Sequence, residues 1–349
     1  GNYVGASPEA GDDHNWWVWH VGADYEKYRE SHDWITEFGF QSFPHPATVA
    51  GYTGESDRDS VLSEIHLFHQ KNGNGRGNTL ILDKMRGYFR EPKDHESTLW
   101  LSQINQSYAM NLGIEHWRTD WPASSGALVW QLNDCWPGPT WSSIDYHGRW
   151  KAAHYGYRRS FGAVMASGVP AGGEVLLRIA SDLPEAATAE LTWRLSDLEG
   201  TNIARGSDRV DLPPGTSRVD GPRLELGREI DRRGRDKLLL WLDVTAGGKS
   251  NSNVLFFTRP KELELADPQV TAEIAAAGDG FNITLTSKAP ALWTWITCPD
   301  PDACYSDNFV HLFPGEPVTI HLKPSTPLSL SDLRAGLIVR SLRDTYTRP

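Results

Sequence analysis

The sequence predicts a multidomain chain, α/β in its first part and all-β after it. Three observations carry this. Up to Phe161, short apolar runs alternate with stretches of helical periodicity, the pattern of β/α units. Beyond Phe161, apolar-polar alternation recurs between Gly/Pro/Asp/Ser turn clusters, the pattern of β-sandwiches. The tryptophans divide the same way: of 15, 11 lie at or before Trp150, so the first part demands large flat indoles.

Taken in order, Trp34-Ile35-Thr36 reads as a short apolar strand running into Glu37. Val61, Ile65 and Phe68 have helical spacing, and the Gly/Asn cluster from Asn72 to Asn78 should end that helix. Ser97 can cap a second helix, whose apolar positions Leu101, Ile104, Tyr108 and Leu112 recur three, seven and eleven residues on. Gly126-Ala127-Leu128-Val129-Trp130 suits a buried parallel strand. The Gly/Pro/Ala stretch from Ala166 to Gly173 reads as a linker. A first sandwich follows, marked by alternating Leu191, Trp193 and Leu195, by Leu238 to Val244 and by Val254 to Phe257. Turns separate them at Asp211 to Gly215 and Gly247 to Ser252. A charged hinge from Arg259 to Glu264 leads to a second: Val270 to Ile274, Phe281 to Thr286, Leu292 to Ile296, Val318 to Leu322 and Leu337 to Leu342. The predicted domains are 1–165, 166–262 and 263–349.

Composition narrows the function. With 34 Lys+Arg against 45 Asp+Glu the net charge is −11, and no basic patch is present to neutralise nucleic-acid phosphates. No apolar run approaches the roughly 20 residues of a membrane span. Three cysteines are no disulfide framework. Cys298 and Cys304 leave a small surface disulfide and two free thiols equally open, and Cys135 reads as a packed thiol. Gly1 to Ala6 lack the basic start and apolar core of a signal peptide, and the compartment, cytoplasmic or secreted, stays open. Length adds a constraint: a (β/α)8 barrel takes about 200–250 residues, so the first part could supply only its last third to half.

Three constellations could carry chemistry. Glu37 sits at the C-terminal end of a short strand, just before Gly39. In a β/α barrel that end faces the active site, though a surface carboxylate would fit the spacing too. Trp130-Gln131-Leu132-Asn133-Asp134 also follows a strand. Its indole can be a platform for a sugar ring or a plug in a barrel end; its amides and carboxylate can bind hydroxyls or cap a turn. Asp12, Asp13, His14, Trp16, Trp17, Trp19 and His20 form a polar-aromatic loop that fits no zinc signature. It reads either as a sugar-binding loop or as a buried aromatic one.

Together these motifs resemble one family. Thr36-Glu-Phe-Gly-Phe-Gln-Ser-Phe-Pro44 is similar to the nucleophile strand of β-mannosidases in glycoside hydrolase family 2. So are Gly126-Ala-Leu-Val-Trp-Gln-Leu-Asn-Asp-Cys-Trp-Pro137, Trp141-Ser-Ser-Ile-Asp-Tyr146 and Gly148-Arg-Trp-Lys151. Gly11-Asp12, His14, Trp16 and Trp19 look like the substrate-side loop of those enzymes. Ser306-Asp-Asn-Phe309 and Leu312-Phe-Pro-Gly-Glu316 are similar to their last sandwich. The resemblance implies the C-terminal part of a (β/α)8 TIM barrel followed by two immunoglobulin-like sandwiches. It makes Glu37 the nucleophile of a retaining exo-β-mannosidase, with Trp130, Trp19, His14, Asp12 and Gln131 binding the terminal mannose. Two carboxylates do that chemistry, and it needs no metal or other cofactor.

One departure stands out. The family's acid/base Glu follows an Asn on an earlier strand, and this chain has no Asn-Glu pair. The resemblance therefore makes the N-terminal portion of the enzyme a partner, in the same polypeptide or as a separate chain, and makes this chain alone inactive. Two other readings remain: another family 2 exo-glycosidase, such as an exo-β-glucosaminidase or a β-galactosidase-like enzyme, and a non-catalytic carbohydrate-binding protein.

Overall fold

The computed structural model describes residues 11–72 and 75–347; the reading of Gly1 to Ala6 lies outside them. Two compact units are present, and neither is one continuous stretch. Residues up to Phe40, Tyr108–Gln131 and Gly156–Glu264 form one; Gln41–Ser107, Leu132–Tyr155 and the residues from Leu265 form the other.

The first part has strands β1 (Asp13–Asn15) and β2 (Ile35–Phe38), helices α1 (Pro46–Ala50), α2 (Glu64–Phe68), α3 (Gly77–Tyr88) and α4 (His95–Thr119), strand β3 (Ala127–Val129) and helix α5 (Ala152–Ser160). The three strands make one parallel sheet in the order β1-β2-β3, with β2 central. Ile35 and Phe38 of β2 are fully buried. On Phe38 the rings of Tyr28 and Trp117 close edge-on, at 5.8 and 4.6 Å between centroids, the geometry aromatic quadrupoles favour.

Several expectations are corrected here. The Asp94 carboxylate, not Ser97, caps α4: its Oδ1 accepts from the Ser97 N–H at 2.7 Å. Val61 to Phe68 yields only one helical turn, and Phe68 is 80% exposed. The Asn72–Asn78 cluster ends no long helix; α3 starts inside it, at Gly77. β3 is parallel as expected, but it is a sheet edge and Leu128 is half-exposed rather than buried. Cys135 is exposed, on a surface loop with Leu132 and Trp136, and not packed.

The first sandwich contains β4 (Val164–Ala171), β5 (Glu174–Ser181), β6 (Ala187–Ser196), β7 (Asn202–Leu212), β8 (Ser217–Glu225), helix α6 (Gly227–Arg233), β9 (Leu239–Ala246) and β10 (Lys249–Phe256). Its antiparallel sheets run β4-β5-β8 and β10-β9-β6-β7. Val164, Leu177 and Ile179 of one sheet share a core with Leu191, Leu195, Leu240 and Val244 of the other. The predicted linker is thus strand β4. Its apolar residues pair with β5 through a two-residue turn at Gly172-Gly173, whose φ angles of 58° and 92° need glycine. The charged hinge is tied down as well: a helical turn spans Pro260–Glu262, and Leu263 is buried.

The second sandwich has β11 (Thr271–Ala277), β12 (Gly280–Thr286), β13 (Ala291–Thr297), β14 (Cys304–Tyr305), β15 (Val310–Leu312), β16 (Val318–Lys323), helix α7 (Leu330–Gly336) and β17 (Ile338–Arg340). Its sheets run β11-β12-β16-β14 and β15-β13-β17 around Ile283, Leu285, Ile296, Leu312, Ile320 and Leu333. Cys298 and Cys304 are free thiols. In the same unit, Trp100 of α4 packs against Trp295 and Phe309, and Arg340 pairs with Glu96 at 2.6 Å. The last sandwich therefore shares a compact unit with part of α4. No helix among the described residues is long and apolar enough to cross a membrane.

Candidate functional site

In a parallel sheet the chemistry gathers at the C-terminal ends of the strands, where loops can be varied without disturbing the ladder. Glu37 is the third of the four residues of β2, and its side chain is 27% exposed. The β1–β2 register sets His14 directly opposite it. On the other side, the Trp130 N–H donates to the Phe38 carbonyl at 2.8 Å, so Trp130 leaves β3 beside the end of β2. Its indole is 44% exposed. Gln131 follows, half-buried. The sheet thus brings Glu37, His14 and Trp130 to adjacent strand positions from three separate stretches of sequence.

The carboxylate is held by its neighbours. The Trp16 indole N–H donates to Glu37 Oε1 at 2.9 Å, and His14 Nε2 lies 3.9 Å from Oε2. Behind His14, Thr36 Oγ1 is 2.9 Å from its Nδ1 and 3.1 Å from Asp12 Oδ2. A hydroxyl has one proton and a carboxylate can only accept, so Thr36 donates to Asp12 and accepts from His14 Nδ1. His14 Nε2 is then the nitrogen facing Glu37. Asp13, by contrast, is buried and structural: its carboxylate accepts from the Asn15 amide at 3.1 Å and from the Ser31 hydroxyl.

Not every predicted residue reaches this surface. Trp19 is fully buried and packs edge-on to Phe40 at 4.8 Å, so in this structure it presents no face to a ligand. The Asp134 side chain is also buried, accepting from Lys71 Nζ at 2.6 Å and from the Ser142 hydroxyl at 2.7 Å. That occupies the carboxylate that sequence alone offered to sugar hydroxyls or to a turn. Two residues gained roles that the sequence did not indicate. Trp16 enters the sequence reading only as part of a loop that resembles the family's substrate-side loop, and Thr36 only as part of a motif. The one signal available was positional: Trp16 lies two residues beyond His14, and Thr36 immediately precedes Glu37.

Comparison with known proteins follows the same lines. Residues 173–262 match a family described as a mannosidase Ig/CBM-like domain, and residues 265–345 match an Ig-fold domain family of mannosidases. Both sandwiches are therefore immunoglobulin-like. The β-mannosidase of Capra hircus is 27% identical over 89% of this chain, and β-mannosidase B of Aspergillus oryzae 28% identical over 91%. Among solved structures, the β-D-mannosidase of Dictyoglomus thermophilum superposes with a TM-score of 0.86 at 27% identity, over 96% of this chain and 40% of that one. An exo-chitosanase of Amycolatopsis orientalis gives a TM-score of 0.68 at 16% identity, a likeness of fold alone, over 89% of this chain and 42% of that one. This chain spans 37% of the length of the Capra hircus protein and 40% of the Aspergillus oryzae one.

Proposed function

We propose, from the premise that this chain belongs to the β-mannosidases of glycoside hydrolase family 2 as their C-terminal portion, that it carries the nucleophile of a retaining exo-β-mannosidase. The reading takes residues 1–165 as the C-terminal part of a catalytic (β/α)8 barrel and 166–262 and 263–349 as the two sandwiches. Glu37 is the nucleophile; Trp130 is the platform for the terminal mannose, with His14, Asp12 and Gln131 at its border. Trp19 supports that border from the core.

The observation that carries the reading is the setting of Glu37. It is a partly exposed carboxylate near the C-terminal end of a parallel strand, gripped on one oxygen by Trp16 and flanked by an exposed indole just after the next strand. A surface carboxylate at a strand end has no need of such a grip. In the reaction the carboxylate attacks the anomeric carbon as the glycosidic C–O bond breaks. The leaving oxygen takes a proton from a second carboxylic acid, and water later releases mannose from the glycosyl-enzyme. With Oε1 engaged by Trp16, Oε2 is the attacking oxygen. The acid/base carboxyl belongs about 5–5.5 Å from the nucleophile. It is assigned to the portion that precedes this chain in its relatives.

Two experiments test this. A 2-fluoro mannoside that accumulates as a glycosyl-enzyme, applied to the enzyme that includes the preceding portion, should label the peptide containing Glu37. Label on any other carboxylate overturns the assignment. The 349-residue chain by itself should not turn over an aryl β-mannoside, and robust activity would refute the placement of the acid/base outside it.

A further inference from the structure

At the opposite end of β2 from Glu37 lies a second group of polar side chains that the proposed reaction does not use. His116 is in the last turn of α4 and Asp120 directly follows its last residue, Thr119, so the i, i+4 spacing puts both on one face. His32 lies three residues before β2. Each of the three presents a donor atom, and these atoms lie within 4.8 Å of one another. The sequence separations, 84 residues between His32 and His116 and 88 between His32 and Asp120, leave no motif to find. From this grouping we propose a divalent transition-metal site of the zinc type, with His32, His116 and Asp120 as ligands.

The donors are arranged as such a site requires. His116 Nε2 is 3.2 Å from the Ser31 carbonyl. A carbonyl only accepts, so Nε2 carries the proton and Nδ1 keeps its lone pair for a metal. A ligating imidazole tied through its other nitrogen to a backbone carbonyl is the usual outer-shell arrangement. The Trp117 indole N–H shares that carbonyl, also at 3.2 Å, so the loop carrying Ser31 and His32 is pinned to α4 by two bonds. His32 Nδ1 and Asp120 Oδ2 are 2.7 Å apart, and the rings of His32 and His116 lie 5.4 Å apart at 70°, converging without stacking. Around a tetrahedral zinc, with bonds of about 2.0–2.1 Å, donors sit roughly 3.3 Å apart. The exposed His32 ring, 55% accessible, can make that adjustment, and the same exposure leaves the fourth position to water. Two imidazoles and one carboxylate select zinc, copper or nickel over calcium and magnesium, which take oxygen ligands.

The site would clamp the segment entering β2 to the end of α4, at the far end of the strand from Glu37. Its test is metal binding, independent of glycosidase activity. The tag-free 349-residue chain, stripped with a chelator, is titrated with zinc chloride by calorimetry and loaded in parallel with cobalt(II) for absorption spectroscopy. One equivalent of zinc should bind and raise Tm, and the cobalt form should show the intense d–d bands of a low-coordinate site. His32→Ala, at an exposed position, and Asp120→Asn, which keeps a hydrogen-bonding oxygen, should each weaken zinc at least about tenfold and abolish the Tm rise, with the metal-free Tm little changed. No binding would mean that the three residues are only a hydrogen-bonded cluster. Binding undiminished in both variants would place the metal elsewhere. Either result overturns the proposal.

Discussion

The Trp16–Glu37 contact shows how one residue outside the predicted set can bear on the candidate site. Its indole N–H reaches Oε1 at 2.9 Å, and a hydrogen bond to a charged group is worth about 1.5–3 kcal/mol. The carboxylate regains its charge as the glycosyl-enzyme is hydrolysed, so the bond strengthens in the deglycosylation step, and Trp16→Phe should slow that step and lower kcat of the complete enzyme by roughly tenfold or more. An unaltered kcat in a folded variant would show that the grip does nothing for the reaction. The position of Glu37 near the end of β2 was legible because a carboxylate ending a short apolar strand is a local pattern. Trp16 was not, because its partner lies 21 residues away and only the parallel register of β1 on β2 brings the two together. Trp19 was misplaced for a similar reason. Composition cannot say which of several neighbouring indoles turns inward, and packing against Phe40 decides it.

At the scale of elements, many strands and the long helix were legible from periodicity, whereas β1, β5, β7, β8, β14 and β15 were not singled out and β4 was read as a linker. The Ala166–Gly173 stretch reads as linker from Gly, Pro and Ala alone, yet a strand partner on β5 makes it β4. Trp193 and Gly206 face each other across β6 and β7. A Cβ on Gly206 would come within 2.7 Å of the indole, so the glycine serves the ring and not a turn. The packing of α4 on this sandwich yields a prediction. Desolvation raises the pKa of the half-buried Glu115, while the Ser167 hydroxyl donates to it at 3.0 Å. A carboxyl whose folded pKa exceeds its unfolded one contributes stability at low pH that is lost as pH rises through the folded value. Glu115→Gln removes that ionisation, so its Tm advantage over the parent should widen from pH 5 to pH 8. A pH-independent difference would exclude the ionisation as its source.

Across the whole molecule, histidines whose pKa burial depresses contribute to the response to acid. Burial lowers His45 to about 4; burial, and then the neighbouring His95, lower His66 to about 4 as well. Unfolded, both titrate near 6.5, so between pH 6.5 and 4 the unfolded chain binds more protons and stability falls as pH falls. Urea midpoints should drop across that window. The double variant His45→Asn, which keeps an acceptor for the Ala47 N–H, with His66→Gln should make the drop shallower, leaving the share of His116, which burial also lowers to about 4; an unchanged slope would assign the drop to other groups. The sequence by itself determined the order of α/β part and sandwiches, the strand that carries Glu37 and the indole that follows β3, since these depend on periodicity and short motifs. Only the tertiary structure decided that the compact units are built from separate stretches, that Asp12, Thr36 and His14 form a chain of contacts ending at Glu37, and that His32 meets His116 and Asp120. Side-chain alternation acts over a few residues and leaves its mark in the sequence. Strand register and helix packing join residues many positions apart, and they leave no local pattern to read.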